Sequence, residues 1–172
     1  MQRALAFATE AHGSINHVRK YTGEPYINHP IEVMEIVRTA AHHTDEMLAA
    51  ALLHDTVEDT PVTQEDIEHE FGPAVGKLVL ELTDQCHKGN RATRKAAEAA
   101  RLGTISPEGQ TVKLADLISN SRSIVAHDRG FAFVYLREKV RILDAMRDGD
   151  PGLYAEARRL VADAQTSIGF RP

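Results

Sequence analysis

DEMLAAALLHDTVEDT, residues 45–60, is the stretch on which the reading of the fold turns. Met47 and Ala51, Leu48 and Leu52, and Ala49 and Leu53 are each four residues apart, so apolar side chains repeat at the spacing of an α-helix rather than a strand. The same recurrence at three and four residues runs through 3–12, 30–41, 64–71, 74–85, 111–126, 131–148 and 153–165, and no convincing alternation interrupts it. These segments predict an all-α fold of about eight helices, one compact multi-helix domain over residues 1–172. Start and stop signals agree: Pro30 fits a first turn after Asn28 and His29, Thr63 with Asp66 resembles a capping box, and Gly72-Pro73 and Gly149-Asp150-Pro151-Gly152 separate helices. Residues 13–29 and 103–110 read as loops, neither long enough for a domain linker.

The end of the opening stretch is chemically unusual, with His54, Asp55, Glu58 and Asp59 following an apolar run. In a continuous helix, residues three or four apart share a face, which puts His54 beside Glu58, and Asp55 beside Glu58 and Asp59. Carboxylates packed that closely are costly in an apolar interior unless a cation neutralises them or they take up protons. A metal ion answers that cost. A solvent-facing acidic helix end answers it equally well, and this peptide alone does not choose.

Composition narrows the classes. An apolar content of 42% over 172 residues is enough for one substantial core. The N-terminal MQRALAFATEAHG lacks the apolar run of a signal peptide, and no segment approaches the roughly 20 apolar residues of a membrane span, so the chain reads as cytoplasmic with no membrane partner. Cys86 is the only cysteine, which rules out an internal disulfide or a multi-cysteine zinc site, and it reads as an inert thiol. The net charge of −5 argues against a general nucleic-acid binder. The charge is uneven, however: Lys88, Arg91, Arg94, Lys95 and Arg101 stand against Glu98 alone in 88–101, a net +4 that leaves −9 elsewhere. Such a patch suits a compact polyanion, or is a solvated helix face.

Two more positions join the acidic stretch. PYINHP sets His29 before Pro30, at a rigid junction between loop and helix, and VKLADLISNSR sets Asp116 in an apolar helix with Asn120 one turn on. Separately, His29 could cap a backbone group and Asp116 could pair with Arg122. Together, His29, His54, Asp55 and Asp116 make a mixed nitrogen and oxygen set suited to a divalent transition metal. His12, His42, His43, His69, His87 and His127 have no such context and read as packing or surface residues.

The order of these motifs, RK-x4-PY-x2-HP, then LLHD-x2-ED, then KLAD-x3-N, resembles the HD-superfamily metal phosphohydrolases. AFATEAHG, RKYTGEPYINHPIEV, AALLHDTVEDT, FGPAVGKLVLELTD and VKLADLISNSR are similar more particularly to the hydrolase domain of RelA/SpoT homologues, in its small free-standing alarmone hydrolase form. The resemblance implies hydrolysis of the 3′-pyrophosphate of ppGpp-like nucleotides by water activated on one Mn²⁺ ion, a small-molecule nucleotide partner and a place in the stringent response. It implies that His29, His54, Asp55 and Asp116 bind the metal, that Glu58 and Asp59 position or activate water, and that Arg19, Lys20 and Asn120 contact the nucleotide. Tyr135 matches a substrate-contacting tyrosine or lines the core. Arg91, Arg94 and Lys95 are assigned to phosphates on charge alone. The chain departs from the family in SINHVRK, where Asn16 and His17 stand near a position that is often glutamine. Guanine and adenine are equally open as bases, and two alternatives remain: a phosphatase of the same fold acting on another nucleotide such as NADPH, and a non-catalytic nucleotide sensor.

Overall fold

Helix α3 (Asp45–Leu53) is buried without interruption from Met47 to Leu53. Its start is set by Thr44, whose hydroxyl accepts from the Met47 N–H at 3.3 Å, with Asp45 and Glu46 favourably placed at the positive end of the helix. The structure is a computed structural model that describes residues 1–86 and 88–167, apart from the side chains of Arg129, Phe133 and Ser167; His87 lies outside the described residues. Among the described residues there are ten helices and a single isolated β-bridge between Val18 and Pro25. No helix of the described residues is long and apolar enough to cross a membrane.

The chain divides into two compact units, Met1–Thr83 and Asp84–Pro172. In the first, α1 (Gln2–Ser14), α2 (Asn28–Arg38) and α6 (Pro73–Leu82) pack on α3, and α1 also meets the single turn α4 (Thr56–Asp59). Helix α5 (Gln64–Phe71) packs on α6. The expected capping box is present: Thr63 Oγ1 accepts from the Asp66 N–H while Asp66 Oδ2 accepts from the Thr63 N–H at 2.9 Å. Gly72 then takes φ 85°, a left-handed value open to glycine, so that α5 stops and Pro73 starts α6.

In the second unit, α8 (Pro107–His127) packs against α9 (Arg129–Ala145) and α10 (Pro151–Ser167), and α9 also packs against α7 (Arg91–Leu102). The residues read as the loop 103–110 contribute their last four to α8, because Ser106 caps it and Pro107 takes the first position. Buried Gln110 and Thr111 on α8 accept the N–H groups of Asp148 and Asp150, each at 2.9 Å, and so fix the α9 to α10 turn. Gly149 sits in that turn because a Cβ there would come within 2.8 Å of Leu114.

The eight expected segments are all helical, and two further elements join them, the 12-residue α7 and the 4-residue α4. Helix α7 was the basic, alanine-rich segment. Helix α4 arises because α3 ends at Leu53 and not at Asp55. Thr56 Oγ1 donates to the Leu53 carbonyl at 2.7 Å, and His54 Nδ1 lies 2.8 Å from the Ala51 carbonyl. Side chains thus satisfy carbonyls that the next helical turn would have taken, and the chain turns at His54 and Asp55 before resuming.

Candidate metal centre

Adjacent residues of a straight helix point about 100° apart, and His54 (φ −57°, ψ −33°) and Asp55 (φ −98°, ψ −3°) both keep right-handed backbone angles, yet their side chains do not stay apart. Instead, His54 Nε2 and Asp55 Oδ2 meet at 3.0 Å. His29, held in the first turn of α2 with its N–H on the Tyr26 carbonyl at 2.9 Å, points its Nε2 at the same carboxylate oxygen from 3.7 Å. Both imidazoles are 1% exposed, so three donor atoms converge with little water among them.

The tautomer of His54 decides what this convergence favours. Its Nδ1 carries the proton that is donated to the Ala51 carbonyl, so in the neutral imidazole the lone pair sits on Nε2, facing a carboxylate oxygen. At 3.0 Å that contact calls for a proton or a cation between the two atoms. A divalent cation meets that need, and two imidazoles with a carboxylate are donors that suit Mn, Fe or Zn. The backbone carbonyl behind His54 is the kind of outer contact that orients a ligating imidazole. The residues of the first unit therefore fit a metal ion.

Asp55 has a further partner: the Tyr26 hydroxyl donates to its Oδ2 at 2.6 Å. Asp59 and Glu58 follow on α4, both largely exposed. Partial desolvation of the Asp59 carboxyl, with Asp55 and Glu58 as negative neighbours, pushes its pKa up to about 6. A carboxyl in that range can take and return a proton near neutrality.

In the second unit, Asp116 is 5% exposed on α8. Its partner is not Arg122, which pairs with Glu156 at 2.7 Å; Lys113 holds Asp116 at 2.9 Å and the Asn120 amide donates to it at 2.5 Å. Arg91 grips Glu138 with two hydrogen bonds of 2.7 and 2.9 Å and lies over the Phe131 ring. Lys95 reaches Asp84 at 3.4 Å, whereas Arg94 is exposed. Tyr135 is buried, with the Lys139 ammonium 4.7 Å from its ring centre, and burial pushes its phenol well above the usual range. Arg19 and Lys20 lie on the loop between α1 and α2, Lys20 against the Tyr21 ring.

A second group, Asp84, Cys86 and Glu98, also brings metal-type atoms together, but cations already serve it. Arg101 binds Glu98 through two nitrogens at 3.0 and 2.7 Å, and Lys95 serves Asp84. Burial and these acids push the Cys86 thiol up, away from reactive thiolate. Sequence reasoning missed Tyr26 as the partner of Asp55, whereas buried His12 is the packing histidine it expected. Tyr26 stands in the quoted PYINHP, but nothing in one-dimensional spacing links it to Asp55, 29 residues on.

The HD domain profile matches residues 4–147 of the chain. The chain belongs to the HD domain family. Among HD domain relatives, the GTP pyrophosphokinase rsh of Brucella ovis is 38% identical over 130 residues, which cover 72% of this chain and 17% of that protein. The guanosine-3′,5′-bis(diphosphate) 3′-pyrophosphohydrolase MESH1 of Danio rerio is 40% identical over 119 residues, 69% of this chain and 65% of that one. The chain thus spans less than two thirds of the length of either relative. A solved structure of a metazoan SpoT orthologue, described as hydrolysing ppGpp and acting in starvation responses, aligns with a TM-score of 0.85 at 28% identity, over 99% of this chain and 96% of that one.

Proposed function

We propose that the chain is a metal-dependent 3′-pyrophosphohydrolase of ppGpp-like nucleotides, with Mn²⁺ as the working ion. The observation that carries this reading is the convergence of His29 Nε2 and His54 Nε2 on Asp55 Oδ2, in an HD domain whose relatives include a named 3′-pyrophosphohydrolase. We assign Asp116 as the fourth ligand from its place in KLAD-x3-N; it is buried, and the Lys113 ammonium at 2.9 Å favours its ionised form. A divalent cation, when bound, lowers the pKa of water and polarises a phosphoryl oxygen.

The chain's own groups then have separate tasks. Glu58 and Asp59 orient the attacking water and accept its proton. Water adds to the phosphorus next to the 3′-oxygen and the bond from phosphorus to that oxygen breaks. The 3′-oxygen takes up a proton, so the products are the nucleoside 5′-phosphate species and pyrophosphate. Arg19, Lys20, Asn120 and Tyr135 are assigned to the nucleotide by the family resemblance, while Arg94, Arg91 and Lys95 offset the phosphate charge.

A panel of ppGpp, pppGpp, ppApp, pppApp and NADPH, incubated with Mn²⁺ and read by products, tests the proposal. Pyrophosphate from a 3′-pyrophosphorylated purine nucleotide, abolished by a chelator and restored by Mn²⁺, is expected. Release of single phosphate from NADPH alone would replace it with a phosphatase of the same fold, and no turnover of any substrate would leave a sensor.

A further inference from the structure

The loop between α1 and α2 is a small hairpin. Asn16 at φ 53° and Gly23 at φ 72° supply its left-handed turns, and between them Tyr26 N–H donates to the His17 carbonyl at 3.0 Å and Arg19 N–H to the Glu24 carbonyl at 2.8 Å. This pairing lays the His17 imidazole flat on the Tyr26 ring, with centres 3.7 Å apart and planes within 7°. His12, buried on α1, braces both: its Nδ1 is 3.1 Å from His17 Nδ1, and its ring centre is 4.8 Å from that of Tyr26. Burial pushes the pKa of His12 down to about 4, so it joins this stack as a neutral group and shares a proton with His17 without adding charge.

The far end of the Tyr26 side chain is equally fixed. Its hydroxyl donates at 2.6 Å to Asp55 Oδ2, the oxygen on which both His29 and His54 converge. A phenol donating to a ligand carboxylate turns it to one orientation and tunes its basicity, as outer contacts of metal ligands do. We propose that Tyr26 is the positioning residue for Asp55, and that His17, stacked on its ring, locks Tyr26 in place. Arg19 and Lys20 lie on the same hairpin, so the cations assigned to the nucleotide and the carboxylate assigned to the metal share one rigid support. This rests on the reading of Asp55 as a metal ligand.

The test measures Mn²⁺ binding to the full chain by calorimetry without nucleotide, with melting temperature and ppGpp kinetics on the same preparations. Tyr26→Phe keeps the ring and its stack and removes only the hydroxyl; it should bind Mn²⁺ about 10–100-fold more weakly while its melting temperature stays close to wild type. His17→Ala should weaken Mn²⁺ binding in the same direction, and His17→Phe, which can still stack, should recover most of it. Wild-type Mn²⁺ affinity in both Tyr26→Phe and His17→Ala would overturn the proposal. Failure of the wild-type chain to bind Mn²⁺ would overturn the reading of Asp55 as a ligand and this inference with it. Weakened Mn²⁺ binding in Tyr26→Phe, in a chain whose wild type leaves ppGpp intact, would support the positioning role and remove only the nucleotide assignment.

Discussion

Thr56→Val isolates the turn that carries His54 and Asp55. Thr56 is fully buried, and its hydroxyl donates to the Leu53 carbonyl at 2.7 Å; valine keeps the branched shape and loses the donor. The lost hydrogen bond is worth about 1 kcal/mol net, and a buried carbonyl deprived of its donor raises the cost to about 2 kcal/mol. In a chain of this size that is roughly 4–8 °C in melting temperature. The functional effect should be larger, because the Thr56 hydroxyl anchors the turn that carries both His54 and Asp55, and its loss frees the backbone beneath both side chains. Mn²⁺ affinity should fall about 10–100-fold, as when the support of a metal ligand is removed. Thr56→Ser is the control: it keeps the hydroxyl, loses one buried methyl at about 1 kcal/mol, and should bind Mn²⁺ as wild type does. Thermal melts and Mn²⁺ calorimetry on the three proteins separate the effects. A Thr56→Val protein with normal Mn²⁺ affinity, however low its melting temperature, would refute the claim that this turn sets the ligand geometry.

Asp55→Ala should lose Mn²⁺ and turnover together, checked by metal content after dialysis; full occupancy with normal activity would remove Asp55 from the ligand set. Glu58→Gln and Asp59→Asn should retain Mn²⁺ but lower kcat by about 10²–10⁴-fold, whereas loss of bound Mn²⁺ in Glu58→Gln would make that residue a ligand. Arg94→Ala should raise KM for ppGpp at low salt, with the effect fading as salt screens it, and Arg91→Ala should add the release of Glu138. Lys139 is half-buried, and burial followed by repulsion from Lys113 pushes its pKa down from 10.5 to about 8, on the order of 3 kcal/mol against the charged form in the folded state. The unfolded chain therefore binds more protons between these two values, so stability rises with pH across that window; Lys139→Met should be more stable at pH 7 and should flatten the rise in denaturant titrations.

How legible the molecule was depends on the range of the forces concerned. Helices with an apolar face, such as α2, α6 and α8, announce themselves through spacing, because burial of one face is what makes them helical. Helix α7 does not, since it buries only Glu98, Ala99 and Leu102 and is held by its Asn90 cap and by packing on α9. The break after Leu53 was equally hidden: it involves no glycine or proline, only hydroxyl and imidazole contacts to carbonyls three residues back. Ion pairs were the least legible feature. The sequence singled out Arg91 and Lys95 as cations for a ligand, but it could not reveal that Glu138 and Asp84 reach them in the folded unit. For Asp116 it weighed Arg122, six residues on, when the cation one turn earlier, Lys113, is the partner.

Two carboxylates of the same short stretch stand in different surroundings. Asp55 sits at the break itself, accepts a hydrogen bond from the Tyr26 hydroxyl and faces His54 Nε2 and His29 Nε2, so its orientation is fixed and the site calls for a cation. Asp59 lies one turn later on α4, past the break, where partial desolvation and the charges of Asp55 and Glu58 disfavour ionisation. The Asp59 N–H still donates to the Asp55 carbonyl at 2.9 Å, so the two carboxylates remain one helical turn apart and feel each other's charge. What differs is their company: the first lies among imidazole nitrogens, and the second is the more exposed, with a proton to exchange near neutrality. We read the first as a ligand and the second, four residues away, as an acid or base, with the Thr56 hydroxyl holding the turn that carries the first.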